Sequence, residues 1–214
     1  PRGVRHGYLL RNGVFTSFDP PGSRFTNTLG INDRGDIVGR FCVREVCRPP
    51  GSGDYRGFLL SEGKFTIIDY PGANETNLWG INRRGQILGS FGTLDGKSHL
   101  FVLWKDGFTA IDLPGVVDVN PDKGGINSRG DIVGVYCDVA PCRIGPKGTH
   151  GFLLSGDDLT TIDFPGALAT ITHGINARRD IVGAYWDAEG VLHGFLLRGR
   201  RGDDDRRDGD QTDS

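Results

Sequence analysis

Apolar residues along this chain occur in short runs of about five, rich in Val, Ile, Phe and Thr and separated by Gly, Asn, Asp and Pro. Runs of this kind, bounded by turn formers, are typical of β-strands and hairpins. No window repeats its apolar residues at the 3.6-residue period of an amphipathic helix, so we expect no helices. Consecutive side chains are apolar in segments such as DIVG and FLL, which predicts sheets covered on both faces.

Two of these runs, joined by a turn, form a hairpin around the tripeptide GIN. This hairpin occurs four times. Its glycine is residue 30, 80, 125 and 174, so the successive periods are 50, 45 and 49 residues. The hairpins are near-copies of one another, at residues 26–39, 76–89, 121–134 and 170–183. Fixed periods in this range are typical of propellers and other repeat arrays.

Two further strand types lie between the hairpins. One reads HGFLL, with versions at 6–10, 56–60, 99–103, 150–154 and 193–197. The other reads FTID and leads into a Pro-Gly turn, with versions at 15–19, 65–69, 108–112 and 159–163. The hairpin supplies two strands, GIN and DIVG. We therefore expect four short strands in each complete repeat.

These patterns predict an all-β fold, a β-propeller-like array of about four four-stranded antiparallel blades. We expect the order GIN, DIVG, HGFLL, FTID from the axis outwards, because glycine in the first strand allows neighbouring blades to approach closely. The strand count leaves two arrangements open. Residues 14–19 could complete the last unit and close a four-bladed ring, or the chain could be a segment of a larger propeller.

The repeats assign residues 1–197 to a single repeat β domain. Residues 198–214 contain no apolar residue other than glycine, which predicts a disordered charged tail. The net charge is −2 and no basic patch with interleaved aromatic residues occurs, so nucleic-acid binding is not expected. No apolar run approaches the roughly 18 residues of a membrane span.

The four cysteines form two local pairs with one spacing, and both pairs follow a DIVG strand. They are Cys42 with Cys47 and Cys137 with Cys142. Identical local pairs in equivalent loops favour two disulfides, with free thiols as the alternative. A zinc site made by all four thiolates is disfavoured, because the first and third blades of a four-bladed ring lie on opposite sides of the axis. Disulfides in turn predict an extracellular or cell-surface location.

Several polar residues recur at fixed places in the repeat, and we interpret them as structural. The histidines that begin the HGFLL strands and the asparagines of GIN are expected to hydrogen-bond to nearby turns or Asp side chains. They are His6, His99, His150 and His193, and Asn32, Asn82, Asn127 and Asn176. No nucleophile elbow, HExxH motif or phosphate loop occurs. We therefore predict no catalytic residue, no metal and no cofactor.

The residue just before GIN differs between copies, which makes it the best candidate for a ligand contact. It is Leu29, Trp79, Gly124 or His173. An aromatic face with polar neighbours suits sugar stacking or peptide docking, so Trp79 and His173 are the predicted ligand-binding residues. Trp104 and Trp186, in or beside connections, are weaker candidates.

The combination of HGFLL, FTTIDFPGA and GINxxGDIVG in fixed order resembles the extracellular repeat family known as HAF repeats and its relatives in secreted bacterial proteins. The resemblance covers residues 6–197 and implies a secreted or surface-attached β-propeller-like repeat protein. It implies no activity and no catalytic residue. Arg56 in place of the motif His, an insertion before Gly125 and Arg179 in place of the turn glycine depart from the pattern.

The sequence as a whole predicts a non-enzymatic extracellular or cell-surface module, a binding or structural scaffold whose ligand is a carbohydrate or another surface protein. We expect a monomer or part of a larger chain. The alternative is a secreted polysaccharide hydrolase or lyase with carboxylates at the mouth of the channel. A spacer without a ligand of its own is a third possibility.

Overall fold

The structure is a computed structural model that describes residues 4–44, 47, 53–94, 96–105, 107–111, 113–140, 142–145 and 147–199, without the side chains of 120–123. In this part of the chain seventeen strands and no helix are found, which confirms the all-β prediction. Beyond residue 199, the tail predicted to be disordered lies outside the described residues.

The strands form five antiparallel sheets in chain order. The N-terminal hairpin contains β1 (Gly7–Arg11) and β2 (Val14–Phe18). Sheet I contains β3 (Phe25–Ile31), β4 (Ile37–Cys42), β5 (Arg56–Ser61) and β6 (Lys64–Ile68). Sheet II contains β7 (Glu75–Ile81), β8 (Ile87–Gly92), β9 (Ser98–Trp104) and β10 (Gly107–Ile111). Sheet III contains β11 (Asp118–Ile126), β12 (Ile132–Cys137), β13 (Thr149–Ser155) and β14 (Asp158–Ile162). Sheet IV contains β15 (Ala169–Ile175), β16 (Ile181–Trp186) and β17 (Leu192–Leu197).

Each four-stranded sheet has the predicted order of strand types, GIN, DIVG, HGFLL and FTID, with sequence neighbours hydrogen-bonded. Sheet IV has the first three types, and the N-terminal hairpin has the last two. In the described residues β2 pairs with β1 and not with β17, so residues 14–19 do not complete the last unit. The hairpin instead lies against sheet I, where Arg5 forms a bridge to Phe25.

The sheets stack through their first strands, β3 on β7, β7 on β11 and β11 on β15. The glycine of GIN lies at this contact, and a Cβ atom on Gly30 would come within 2.9 Å of the Gly80 Cα. Between sheets I and II, Val38 packs with Leu78, Ile81 and Phe101. This succession of sheets around the first strands is a β-propeller arrangement, as the repeat pattern predicts.

Burial of equivalent residues shows which sheet faces are covered. The third residue of DIVG is fully or almost fully buried as Val38 (0% exposed), Leu88 (1%) and Val133 (0%), because the next sheet covers it. In sheet IV the same position is Val182, which is 49% exposed. The far face of sheet IV is therefore open to solvent in the described structure.

A chain of asparagines joins the hairpin corners of successive sheets. The Asn32 amide donates to the Asn82 carbonyl oxygen, Asn82 donates to that of Asn127, and Asn127 donates to that of Asn176, at 3.3, 2.9 and 3.1 Å. Each Asn side-chain oxygen also accepts two backbone N–H groups of its own turn, as at Asn82 from Arg84 and Gln86. The predicted structural role of these asparagines is confirmed.

The fourth hairpin has a left-handed backbone at Arg179, the residue that stands in place of the turn glycine. The turn glycines Gly35, Gly85 and Gly130 have φ between 86° and 94°, and Arg179 has φ 64°. Its guanidinium donates to both carboxylate oxygens of Asp131 at 2.8 Å and to the Ser155 hydroxyl at 2.7 Å. These bonds to the preceding sheet offset the cost of the left-handed conformation.

The cysteines form the two predicted disulfides, Cys42–Cys47 and Cys137–Cys142. Each closes the connection that follows a DIVG strand. In each pair the first cysteine is the last residue of the second strand, Cys42 of β4 and Cys137 of β12.

Candidate functional site

The predicted ligand residues Trp79 and His173 lie at β-bulges. In β3, β7 and β15 the pairing register shifts at the residue before the GIN glycine, so Leu29, Trp79 and His173 are each the extra residue on their strand. A bulge residue has no ladder partner and its side chain is re-aimed, which explains why this position tolerates unlike side chains.

The structure places Trp79 in the interior, with only 5% of its surface exposed. Its indole N–H donates to the Ser90 hydroxyl at 3.0 Å. The Arg40 guanidinium lies 5.1 Å from the Trp79 ring centroid and 4.8 Å from that of Tyr55. A ring enclosed in this way has little surface left for a ligand, so the geometry favours packing over sugar stacking.

Polar groups buried beside Trp79 form a network between sheets I and II. The Arg40 guanidinium donates to the Asn77 side-chain oxygen at 3.2 Å, and the Asn77 amide donates to Glu75 Oε1 at 3.0 Å. All three residues are buried. Buried polar groups that find partners fix the relative position of the sheets they join.

His173 is exposed on β15, and β11 separates its strand from the strand of Trp79. The structure therefore places the two residues on sheets that are not neighbours, one buried and one exposed. Their role in ligand binding stays a prediction.

Three of the four histidines of the HGFLL strands hydrogen-bond to aspartates, as predicted, and the fourth, His99, stacks on Phe91. His6 Nδ1 lies 2.6 Å from Asp19, His193 Nε2 lies 2.6 Å from Asp187, and His150 lies between Asp163 at 3.0 Å and Asp138 at 3.3 Å. In sheet I the motif His is Arg56, which pairs with Asp69.

The carboxylates beside His150 also determine its titration. Burial of the ring opposes protonation, but hydrogen bonds and negative charge from Asp163 and Asp138 outweigh this cost. Together they raise the pKa of His150 above its ordinary value of 6.5. His150 is thus biased toward the charged, ion-paired form.

An exposed tryptophan lies at the strongest candidate for a binding site, a groove of 530 Å³ between sheets I and II. Sheet I contributes Thr66, Ile67 and Asp69 to the groove. Sheet II contributes Trp104, Lys105 and Phe108 from β9 and β10 and the turn between them, and Arg84 from its hairpin corner. Trp104 is 52% exposed, so part of its ring surface is accessible from this groove.

Trp104 replaces a residue that is structural in the other complete sheets. Its equivalents are Ser61, which donates to Asp36 at 2.5 Å, and Ser155, which donates to Asp131 at 2.7 Å. In sheet II the aspartate position is Gln86. Both members of the Ser–Asp pair are therefore changed in one sheet, and this paired departure is the sequence signal that could have ranked Trp104 above Trp79.

The groove is bordered by cations. The Lys105 ammonium lies 5.3 Å from the Trp104 ring centroid, and the exposed Arg84 lines the same groove. The one carboxylate among the lining residues, Asp69, accepts a hydrogen bond from Arg56 Nε at 2.9 Å. The groove thus combines an aromatic face, a Thr hydroxyl, two cations and a paired carboxylate.

Comparison with known proteins identifies the fold. No family model matches the chain, and no curated protein is significantly similar to it in sequence. The β-propeller domain of the Trilobed protease from Pyrococcus furiosus is similar in structure, with a TM-score of 0.55 and 15% identity over 86% of this chain and 52% of that one. The chain thus spans about half the length of that propeller domain.

A second group of similar structures consists of lectins. The Aleuria aurantia lectin in complex with Fucα1-6GlcNAc has a TM-score of 0.54 and 10% identity over 91% of this chain and 68% of that one. Another structure of this lectin, described as a six-bladed β-propeller, has a TM-score of 0.51 and 12% identity over 91% and 66%. These similarities show that the chain is a β-propeller. Among the described residues no helix is long and apolar enough to cross a membrane.

Proposed function

We propose that this chain is a carbohydrate-binding β-propeller module, with its sugar site in the Trp104 groove. The single observation that carries the proposal is the exposed Trp104 ring on an inter-sheet groove, at a position where sheets I and III have a structural serine. Structural similarity to a fucose-binding lectin supports the same ligand class.

The chemistry of the groove suits a sugar. The apolar face of a pyranose packs on an aromatic ring, and its hydroxyl groups need donors and acceptors placed around that ring. Thr66, Arg84 and Asp69 provide such groups on the walls of the groove. A ligand bound there would contact both sheets, because the lining residues come from both.

We also propose that the module works outside the reducing interior of the cell and without catalysis. The two disulfides support the location, because such bonds persist in oxidising compartments. The groove offers one carboxylate, already paired with Arg56, whereas glycoside hydrolysis commonly uses two.

Substitution of Trp104 by Ser tests the sugar site, since Ser is the residue of the equivalent positions. A glycan array identifies a ligand for the native chain, and calorimetry then measures the dissociation constant of each variant. We expect Trp104→Ser to weaken binding at least about tenfold, or about 1.4 kcal/mol, because the stacking surface is lost. Leu94→Ser is the matched control, since Leu94 is 92% exposed and outside the groove.

Three outcomes would contradict the proposal. The first is binding that is unchanged by Trp104→Ser and lost in His173→Ala, which would return the site to the residue before GIN. The second is the absence of any glycan bound by the native chain. The third is release of products from a polysaccharide panel, which would favour the hydrolase or lyase alternative over a binding module.

A further inference from the structure

A second groove, of 190 Å³, lies where the N-terminal hairpin meets sheet I. We name it the acceptor groove. Its walls are Leu9 and Leu10 of β1 and Thr28, Gly30 and Ile31 of β3, and it is completed by Tyr8, Leu29 and Ile37. In the described structure β1 pairs with β2 along one edge only, so its other edge presents unpaired backbone groups toward this groove.

The complete sheets show what occupies the equivalent place. Ile81 of β7 is 7% exposed and belongs to the same cluster as Val38 of the preceding DIVG strand. Ile126 of β11 is 9% exposed and packs in the same way with Leu88. Ile31 of β3 is the equivalent residue, yet it is 53% exposed. The acceptor groove is therefore the position of a DIVG strand that the described residues do not supply.

From this geometry we propose that the acceptor groove binds an extended peptide segment with the D-I-V-G pattern of the second repeat strand. The segment adds to the free edge of β1 as an antiparallel strand. Main-chain hydrogen bonds to an exposed edge provide affinity in this mode, and pockets for alternate side chains provide specificity. The occupant is thus a strand of this repeat type and not an unspecified apolar surface.

The register follows from the pairing of β12 with β13. There Ile132, Val133 and Gly134 lie opposite Leu154, Leu153 and Phe152. The residues of β1 equivalent to these partners are Leu10, Leu9 and Tyr8. The valine of a bound segment would then lie against Ile31, as Val38 lies against the sheet II cluster.

Glycine in the segment is required by the aromatic ring opposite it. In sheet I a Cβ atom on Gly39 would come within 2.9 Å of the Phe58 ring. Tyr8 is the equivalent of Phe58 and is 60% exposed, whereas Phe58, Phe101 and Phe152 are fully buried. A bound segment with glycine at this place leaves room for the Tyr8 ring, and a larger residue would clash with it.

A positive charge next to the groove matches the aspartate of the segment. In sheets I and III the aspartate before IVG accepts a hydrogen bond from Ser61 or Ser155. At the equivalent position of β1 the chain has Arg11. A guanidinium there would form a charge-assisted hydrogen bond with the aspartate of the bound segment, as Arg179 does with Asp131.

A labelled peptide with the sequence of Gly130–Tyr136, GDIVGVY, tests the proposal by fluorescence anisotropy against the folded chain. We expect saturable binding, at least tenfold weaker for a peptide carrying Gly134→Leu and at least threefold weaker for one carrying Asp131→Asn. These peptide changes leave the fold of the protein untouched. On the protein, Ile31→Lys should abolish binding, whereas Val182→Lys should not, because Val182 is a comparably exposed apolar residue on sheet IV.

The proposal is overturned if the Gly134→Leu peptide or a scrambled peptide binds as well as the native peptide. Equal loss of binding in the two lysine variants would also contradict it. Formation of a dimer by the native chain that Ile31→Lys dissociates would assign the groove to a second copy instead. None of these readouts depends on carbohydrate binding, so the peptide result and the Trp104 result can fail separately.

Discussion

Arg179 has a backbone conformation that glycine adopts at the same position of the other three hairpins. The residue combines an unfavourable φ of 64° with two strong hydrogen bonds to the buried Asp131. Its two contributions to stability therefore oppose each other, and substitutions can separate them.

Replacement of Arg179 by Ala removes the ion pair and keeps the strained backbone, whereas replacement by Gly removes both. We expect Arg179→Gly to be more stable than Arg179→Ala by about 1 kcal/mol, the typical cost of a left-handed conformation for a residue with a Cβ atom. Denaturant unfolding of both variants measures this difference. Equal stabilities would show that the hairpin relaxes when the arginine side chain is removed.

His150 makes the stability of sheet III depend on pH. Its folded-state pKa is raised by Asp163 and Asp138 despite the burial of the ring. A raised pKa means that the stabilisation is fully present below the unfolded value, about 6.5, and is lost as pH rises through the folded value.

His150→Arg removes this dependence, because arginine stays charged and sheet I already has an arginine at the same position, Arg56 paired with Asp69. Unfolding experiments between pH 5.5 and 8.5 should show the variant gaining stability relative to the native chain as pH rises. A constant difference across this range would mean that His150 does not titrate with folding. His99→Arg is the control variant at the equivalent position of sheet II, where the His99 ring stacks on Phe91.

At the residue scale the sequence predicted contacts that recur in several repeats. It ranked Trp79 above Trp104 as a ligand residue, whereas the structure buries Trp79 and exposes Trp104. The His–Asp bonds and the Asn turns follow from recurring polar residues with local partners. The burial of Trp79 depends on Arg40 and Tyr55 from the preceding sheet, which no local pattern reveals. Trp104 could have been ranked higher only by aligning the repeats and noting that Gln86 and Trp104 replace Asp and Ser together.

Among the elements, the hairpin corners connect sheets that share no strand. Asn82 accepts two turn N–H groups, donates to Gln86 within its own turn, and donates to the Asn127 carbonyl of the next sheet. Asn176 makes the same local bonds in sheet IV but is exposed. The two residues therefore differ in burial and in the bond to a following sheet.

Asn82→Ala should lower the free energy of unfolding by about 2 to 3 kcal/mol, because buried backbone groups lose their partners. Asn176→Ala should cost about 1 kcal/mol, since water can replace the lost partners at an exposed corner. Chemical denaturation of both variants tests the comparison. A cost as large for Asn176 as for Asn82 would assign the effect to the turn alone and not to the link between sheets.

The types and order of the strands could be predicted because each strand carries a local signature of β-branched and aromatic residues. The bulges at Leu29, Trp79 and His173 could not be predicted, since register depends on the pairing of two strands and not on either sequence alone. These bulges explain why the residue before GIN varies, because its side chain has no partner across the ladder.

For the whole molecule, the repeat period predicted the propeller arrangement, and strand counting left the closure of the ring undecided. The structure pairs β2 with β1 and lays the hairpin on sheet I. Whether β2 pairs with β1 or completes sheet IV depends on which of two equivalent strands it meets. The sequence of a single repeat does not determine this. The HAF resemblance stays a prediction. The extracellular location also stays a prediction, with which the two disulfides are compatible.

Because one face of sheet IV is uncovered, we expect unfolding to begin at this sheet. Stability in a repeat array is approximately a sum of terms between nearest neighbours, so a terminal unit with one neighbour opens at lower free energy than an interior one. Backbone amides of Ile181–Trp186 should therefore exchange with deuterium at least about tenfold faster than those of Ile132–Cys137. Mass spectrometry of peptides covering the two strands compares these rates, and matching rates would indicate that the chain unfolds as one cooperative unit.

Fraying from the sheet IV end would make Val182 and its neighbours the first apolar surface offered to proteases and to other chains.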